Sequence, residues 1–265
     1  MNLNRRQLLR TALSLPMLAV LPLRARAEML DIAAAINKAG RQRMLSQRIA
    51  KVYAQLVLGV YPERARPILD KSVTLFDSQM VELKAFAPTL AIRAQYDQLG
   101  VLWTPYRNAT KGMPSLAGLK QIAELNEGVL KTAHAATVAL EKHAGTVTAH
   151  LVNISGRERM LSQRSAKFYL FRAAGLDNAT IDQGLATARH EFETNLAELK
   201  AAPQDTPEIK SQLLLADSQW AFFAHALNQY SPGAPNPVYL QYVAASSEYV
   251  LEVMDTTTGL YQSLH

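Results

Sequence analysis

Apolar residues recur along most of this chain at helical spacing. Alternating runs of the strand type are scarce. Gly and Pro interrupt the pattern at Gly59–Pro62, Pro88, Pro105–Pro114, Gly145, Gly175, Pro203–Pro207 and Ser231–Pro237. The eight intervening segments are rich in Ala, Leu, Gln, Glu and Lys, which favour helix. Eight helices and no substantial sheet are therefore expected.

The pattern is duplicated. Asn37–Tyr53 reads NKAGRQRMLSQRIAKVY and Asn153–Tyr169 reads NISGRERMLSQRSAKFY, identical at twelve of seventeen positions at an offset of 116. Phe76 and Glu82–Ala85 recur as Phe192 and Glu198–Ala201 at the same offset. Trp103 recurs as Trp220 at offset 117, and Glu127, Val129 and Leu130 recur as Glu248, Val250 and Leu251 at offset 121. The offset grows only across expected loops, so the repeated unit is a whole four-helix segment. Residues 28–145 and 146–265 form the two units. Short loops predict two tandem up-down-up-down bundles in an all-α chain. A tight turn at Gly145 would set the two first helices side by side as a pseudo-twofold dimer within one chain. A continuous helix through Gly145 would instead hold the bundles end to end. The turn is the favoured arrangement.

On a helical projection Leu45, Ile49, Val52 and Leu56 form a core stripe. A second stripe holds Ile36, Gly40, Arg43, Gln47, Ala50 and Ala54, and its copy holds Val152, Gly156, Arg159, Gln163, Ala166 and Leu170. This is the spacing of a helix–helix seam, with Gly, Arg and Gln where Leu would be ordinary. Glycine inside a helix costs about 1 kcal/mol relative to Ala, and what it offers is close approach. Two arginines facing across such a seam repel each other unless an anion lies between them, and a planar oxyanion suits guanidinium donors. Arg41 and Arg48 fall on another face and read as structural or solvated. Met44, Leu45 and Tyr53 read as core.

The first 27 residues look like a twin-arginine export signal, with Arg5-Arg6, a broken apolar stretch from Leu13 to Leu23 and Ala25-Arg26-Ala27 as a cleavage site. An uncleaved anchor is the alternative. Cleavage would leave a periplasmic protein beginning at Glu28. The leader carries five of the 28 basic residues and no acid, so the remainder has 23 bases against 22 acids. That balance gives no global support for nucleic-acid binding. No other run is long enough to span a bilayer. With zero cysteines, disulfides, thiol nucleophiles and covalent c-type haem are excluded. His134, His143, His150, His190, His225 and His265 are scattered and read as surface histidines, without the Glu-x-x-His pattern of di-iron bundles. Trp103 and Trp220 read as core packing. No enzyme, metal or cofactor is expected.

The motif helices, INKAGRQRM at Ile36–Met44 and VNISGRERM at Val152–Met160, resemble the nitrate/nitrite-sensing motif of periplasmic domains in bacterial sensor histidine kinases. They also resemble the PilJ-type domain at the N-terminus of type IV pilus methyl-accepting chemotaxis transducers. The resemblance implies a four-helix bundle that dimerises through its first helices, with one nitrate held between the motif arginines. Carried over, Arg43 and Arg159 would clamp the anion, Gly40 and Gly156 would make room, and Gln47 and Gln163 would flank it. The sensors continue into membrane helices and signalling modules, whereas this chain shows neither. A partner would therefore carry the signal: a membrane sensor kinase, a chemoreceptor or a transporter. Glu158 stands where the first copy has Gln42, and is expected either to weaken anion binding or to form an exposed ion pair. A ligand-free module that docks on a receptor is the competing reading.

Overall fold

A computed structural model describes residues 20–231 and 233–264, with side chains from Ile32 onward. Arg5-Arg6 lies outside the described residues. Eight helices follow one another: α1 (Val20–Val57), α2 (Pro62–Phe86), α3 (Leu90–Ala109), α4 (Leu116–Ala144), α5 (Val147–Ala173), α6 (Ala179–Lys200), α7 (Pro207–Leu227) and α8 (Pro237–Gln262). No strand occurs among the described residues. The all-α duplicated architecture is as the sequence predicts.

Helix ends follow local chemistry. Thr89, Ser115, Thr146, Asn178, Thr206 and Asn236 each accept a backbone N–H of the following first turn through the side chain. Pro62, Pro207 and Pro237 open α2, α7 and α8, where no N–H is needed. One boundary differs from expectation: α3 continues through Pro105 to Ala109. Pro105 is exposed, and the carbonyl it leaves without a helical donor belongs to exposed Val101. Water can satisfy that group, while Trp103 and Tyr106 on the opposite face are buried and hold the helix to the core.

The outer helices are amphipathic in matched pairs. α2 buries Leu69, Phe76 and Leu83, and α6 buries Leu185, Phe192 and Leu199. α3 buries Tyr96, Leu99 and Trp103, and α7 buries Leu213, Ala216 and Trp220. Trp103 stacks on Phe76 and Trp220 on Phe192, each with ring centroids 3.8 Å apart. Their indole N–H groups reach Asp77 at 2.7 Å and Glu193 at 3.3 Å. Both tryptophans are core residues held by one polar anchor each.

α1 and α5 lie at the centre. α1 packs on α2 and α4 of its own repeat, α5 on α6 and α8, and the two pack on each other most extensively of all. This arrangement depends on Gly145, which ends α4 in a left-handed conformation at φ 62°. Its N–H bonds Glu141 O at 2.9 Å, and Thr146 then caps α5. The chain reverses there, and α5 is laid parallel to α1. The side-by-side arrangement is the one adopted.

A non-glycine residue in the left-handed region costs about 1–2 kcal/mol. Gly145→Ala is expected to lower unfolding stability by about that amount, as a shift of the denaturant midpoint with an unchanged slope.

Candidate functional site

α1 and α5 are covered on nearly every face, so their polar residues are buried by position rather than by preference. Arg43, Gln47, Arg159 and Gln163 are all fully buried. Such groups persist only when partnered.

α1 and α5 approach closely at the two motif glycines. A Cβ placed on Gly40 would lie 3.8 Å from Gly156 Cα, 3.2 Å from Arg43 Nη2 and 3.4 Å from Arg159 Nη2. A Cβ on Gly156 would lie 3.0 Å from Arg159 Nη2 and 3.8 Å from Arg43 Nη2. The guanidinium tips occupy the space that side chains would otherwise fill, and they converge on one crossing. Two like charges brought together in a dry interior repel strongly.

Each arginine reaches across the crossing to the other repeat. Arg43 Nη2 donates to Asn153 O at 3.0 Å, and Arg159 Nη2 donates to Asn37 O at 3.2 Å and Asn37 Oδ1 at 2.8 Å. The asparagines are themselves held in matching ways. Asn37 donates to Gln262 Oε1 at 2.6 Å and Asn153 to Glu141. Both arginine Nε atoms are buried without a partner.

The two halves then diverge. Arg159 is ion-paired with Asp255, which also accepts from Arg41 at 3.0 Å. The position of Asp255 in repeat 1 is His134, at offset 121. Arg43 Nη1 meets His134 Nδ1 at 3.2 Å, and no carboxylate lies within ion-pair distance of Arg43 among the described residues. An arginine only donates, so His134 accepts at Nδ1 and is neutral with its proton on Nε2. Burial, then the charges of Arg157 and Arg159, push Arg43 down to about 9. Burial also pushes Arg159 down to about 10, with Asp255 opposing.

One to two turns further along, a second set of charges ties each first helix to the last helix of the other repeat. Lys51 and Arg48 pair with Glu248, and Lys51 also donates to Ser247 Oγ at 3.1 Å. Lys167 and Arg164 pair with Glu127 at 2.8 and 2.9 Å, and Lys167 also donates to Asn126 Oδ1 at 2.8 Å. Burial outweighs Glu127 and brings Lys167 down to about 7. Burial would raise Glu248, but Lys51 and Arg48 prevail and hold it at about 2.

Among the sequence-derived candidates, Arg43, Arg159, Gly40 and Gly156 are brought together. Gln47 and Gln163 lie one turn on and turn toward the last helices. Gln47 donates to Asn126 Oδ1 at 3.1 Å, and Gln163 to Ser247 O at 2.8 Å. Arg41 and Arg48 are structural ion-pair residues. Glu158 forms no exposed ion pair, because it is fully buried and accepts from Asn195 at 3.0 Å inside bundle 2. Burial raises its carboxyl well above the usual range. The equivalent pair in repeat 1 is Gln42 and Gln79, so Glu158 occupies an amide's position. His134 is not a surface histidine: it is half-buried against Arg43. The offset of 121 already relates His134 to Asp255, but that relation gains meaning only once both side chains are seen on equivalent arginines.

These features define a duplicated helical bundle whose two first helices share a buried cationic crossing. The family described as type IV pili methyl-accepting chemotaxis transducer N-term, PilJ, matches residues 27–127 and 146–245. The chain belongs to that family, and so to a class of non-catalytic sensory and signalling modules. No curated protein and no solved structure matches the sequence. Among the described residues no His, Cys, Asp and Glu cluster has a metal-binding arrangement, and no helix is long and apolar enough to cross a membrane.

Removing one partner of a buried ion pair typically costs about 3–5 kcal/mol. Glu248→Gln, which leaves Lys51 buried and unpaired, should lose about 3 kcal/mol by chemical denaturation. The double variant Lys51→Met with Glu248→Gln should recover most of that. A second expectation concerns pH. Burial, then Arg43 and Arg157, push His134 from 6.5 down to about 4. The unfolded chain takes up a proton near pH 6.5 that the fold refuses until about pH 4. The contribution to stability is thus complete above pH 6.5 and is lost as pH falls through 4. Thermal midpoints between pH 7 and 4 should fall more steeply in the wild type than in His134→Asn.

Proposed function

We propose that this protein is a periplasmic sensor module for a small oxyanion, nitrate or nitrite, exported by the twin-arginine route. The anion lies between α1 and α5, with Arg43 and Arg159 as ligands. Gly40 and Gly156 allow the approach, and Gln47 and Gln163 border the site on the next turn. The observation that carries this reading is the convergence of two fully buried arginines over opposed glycines, one of them without an acidic partner. An uncompensated buried charge costs several kcal/mol, and a bound anion would offset that cost. Membership in a chemotaxis-transducer family agrees with a sensory role.

The bound anion would draw the guanidinium groups together and shift α1 against α5. The ties of Lys51 to Glu248 and of Lys167 to Glu127 would pass that shift to α8 and α4. A membrane sensor kinase, chemoreceptor or transporter would read the change. The second reading, a ligand-free docking module for such a receptor, draws support from Asp255, which already neutralises Arg159.

The test is thermal unfolding of the protein with nitrate, nitrite, chloride and sulfate at equal ionic strength. A ligand that binds only the folded state stabilises by about 2.7 kcal/mol at a hundredfold excess over Kd. Nitrate or nitrite should raise the midpoint, and chloride and sulfate should not. Arg43→Lys, which keeps the charge but loses the planar fork, should abolish the rise. Equal midpoints in all four salts would favour the docking module.

A further inference from the structure

The internal symmetry of this protein supplies a comparison that the anion site alone does not. Around Arg159, Asp255 answers two arginines, Arg41 and Arg159. The equivalent positions around Arg43 are Arg157 for Arg41 and His134 for Asp255. The carboxylate is missing from that half, although both guanidinium groups are present. A cavity of about 200 Å³ lies beside His134 between α4, α5 and α6, lined by Lys131, His134, Arg157, Arg164, Glu127 and Glu191.

Two donors are available there. His134 accepts from Arg43 at Nδ1, so its Nε2 carries a proton. The Nε of Arg157 is buried without a partner. Arg157 Nη2 donates to Glu191 at 2.7 Å, and Glu191 stands where repeat 1 has Leu75. Glu191 is the competing acid: it engages Arg157 and makes no ion pair with Arg43. In the opposite crevice, of about 500 Å³, Arg41 and Arg48 are matched by Glu248, Glu252 and Asp255. The excess of bases is confined to one side.

The geometry points to a small, singly charged oxyanion bound in this cavity, accepting from His134 and Arg157, with His134 linking it to Arg43. It stands beyond His134, which occupies the Asp255 position in this half. The anion class follows from the two N–H donors and the single charge to be matched, which nitrate or nitrite meets with a compact group of oxygens. This inference rests on the oxyanion-sensor reading and deepens it. The cavity is a second anion position beside the crossing, and Asp255 is the resident anion of the other half.

Titration calorimetry of the full chain with sodium nitrate and sodium nitrite tests it. His134→Asp installs the carboxylate found at position 255. Binding should weaken about tenfold or more, as expected when a charge-assisted contact is replaced by repulsion. The same variant should melt higher than the wild type without added anion, because Arg43 gains its counter-ion; this also shows that the variant folds. Glu191→Leu, the residue of the other half, should tighten binding severalfold by freeing Arg157. Asp255→Asn should leave the wild-type affinity within about threefold. Wild-type affinity in both His134→Asp and Glu191→Leu would overturn the cavity site while leaving an anion site at the crossing. A wild type that takes up neither anion at millimolar concentration would remove the sensing reading and this site together. In that outcome a raised midpoint in His134→Asp would still identify Arg43 as an unmet charge.

Discussion

Burial of two arginines at one helix crossing constrains most of what surrounds it. A guanidinium cannot be desolvated cheaply, and two of them side by side repel. The fold meets this with reciprocity: each arginine crosses to a backbone carbonyl of the other repeat, at Asn153 and Asn37. These bonds are made with α1 and α5 parallel and in register, and glycine on both helices at the point of contact leaves room for the guanidinium tips. The parallel setting requires the reversal at Gly145 between the bundles. The crossing, the turn and the duplication are therefore one solution to a single electrostatic and steric problem.

The same reciprocity continues along the interface and shows where it is broken. Lys51 with Glu248 and Lys167 with Glu127 are matching pairs, each fastening a first helix to the last helix of the other repeat. Near the arginines the match fails, with Asp255 on one side and His134 on the other. Asp255 and His134 thus mark where the two halves of the crossing differ in charge. Glu158 differs from Gln42 as well, but it points into bundle 2 toward Asn195 and leaves the crossing alone. A charge change adjacent in sequence to Arg159 thus has less bearing on it than one in α8, about a hundred residues away.

Much of the architecture was legible from residues alone. The stripe Ile36, Gly40, Arg43, Gln47, Ala50 and Ala54 reads as a seam by spacing, and all of it is buried. Trp103 and Trp220 read as core, and they stack on the repeated Phe76 and Phe192 in the same way. Pro105 read as a break because proline removes a helical hydrogen bond, yet solvent on its side of α3 makes that loss tolerable. His134 read as a surface histidine because nothing near it in the chain gives it a partner. Arg43 is 91 residues distant.

The sequence by itself determined what repeats: the helical period, the duplication, the glycine and arginine placed on one stripe, and the turn at Gly145. These are local or periodic properties, set by backbone sterics and by which side chains share a helix face. The tertiary structure alone decided which charges meet. Whether an arginine is answered by Asp255, His134 or nothing depends on side chains brought together across long separations. Partnering in a desolvated interface turns on ångström distances that no spacing along a single helix encodes.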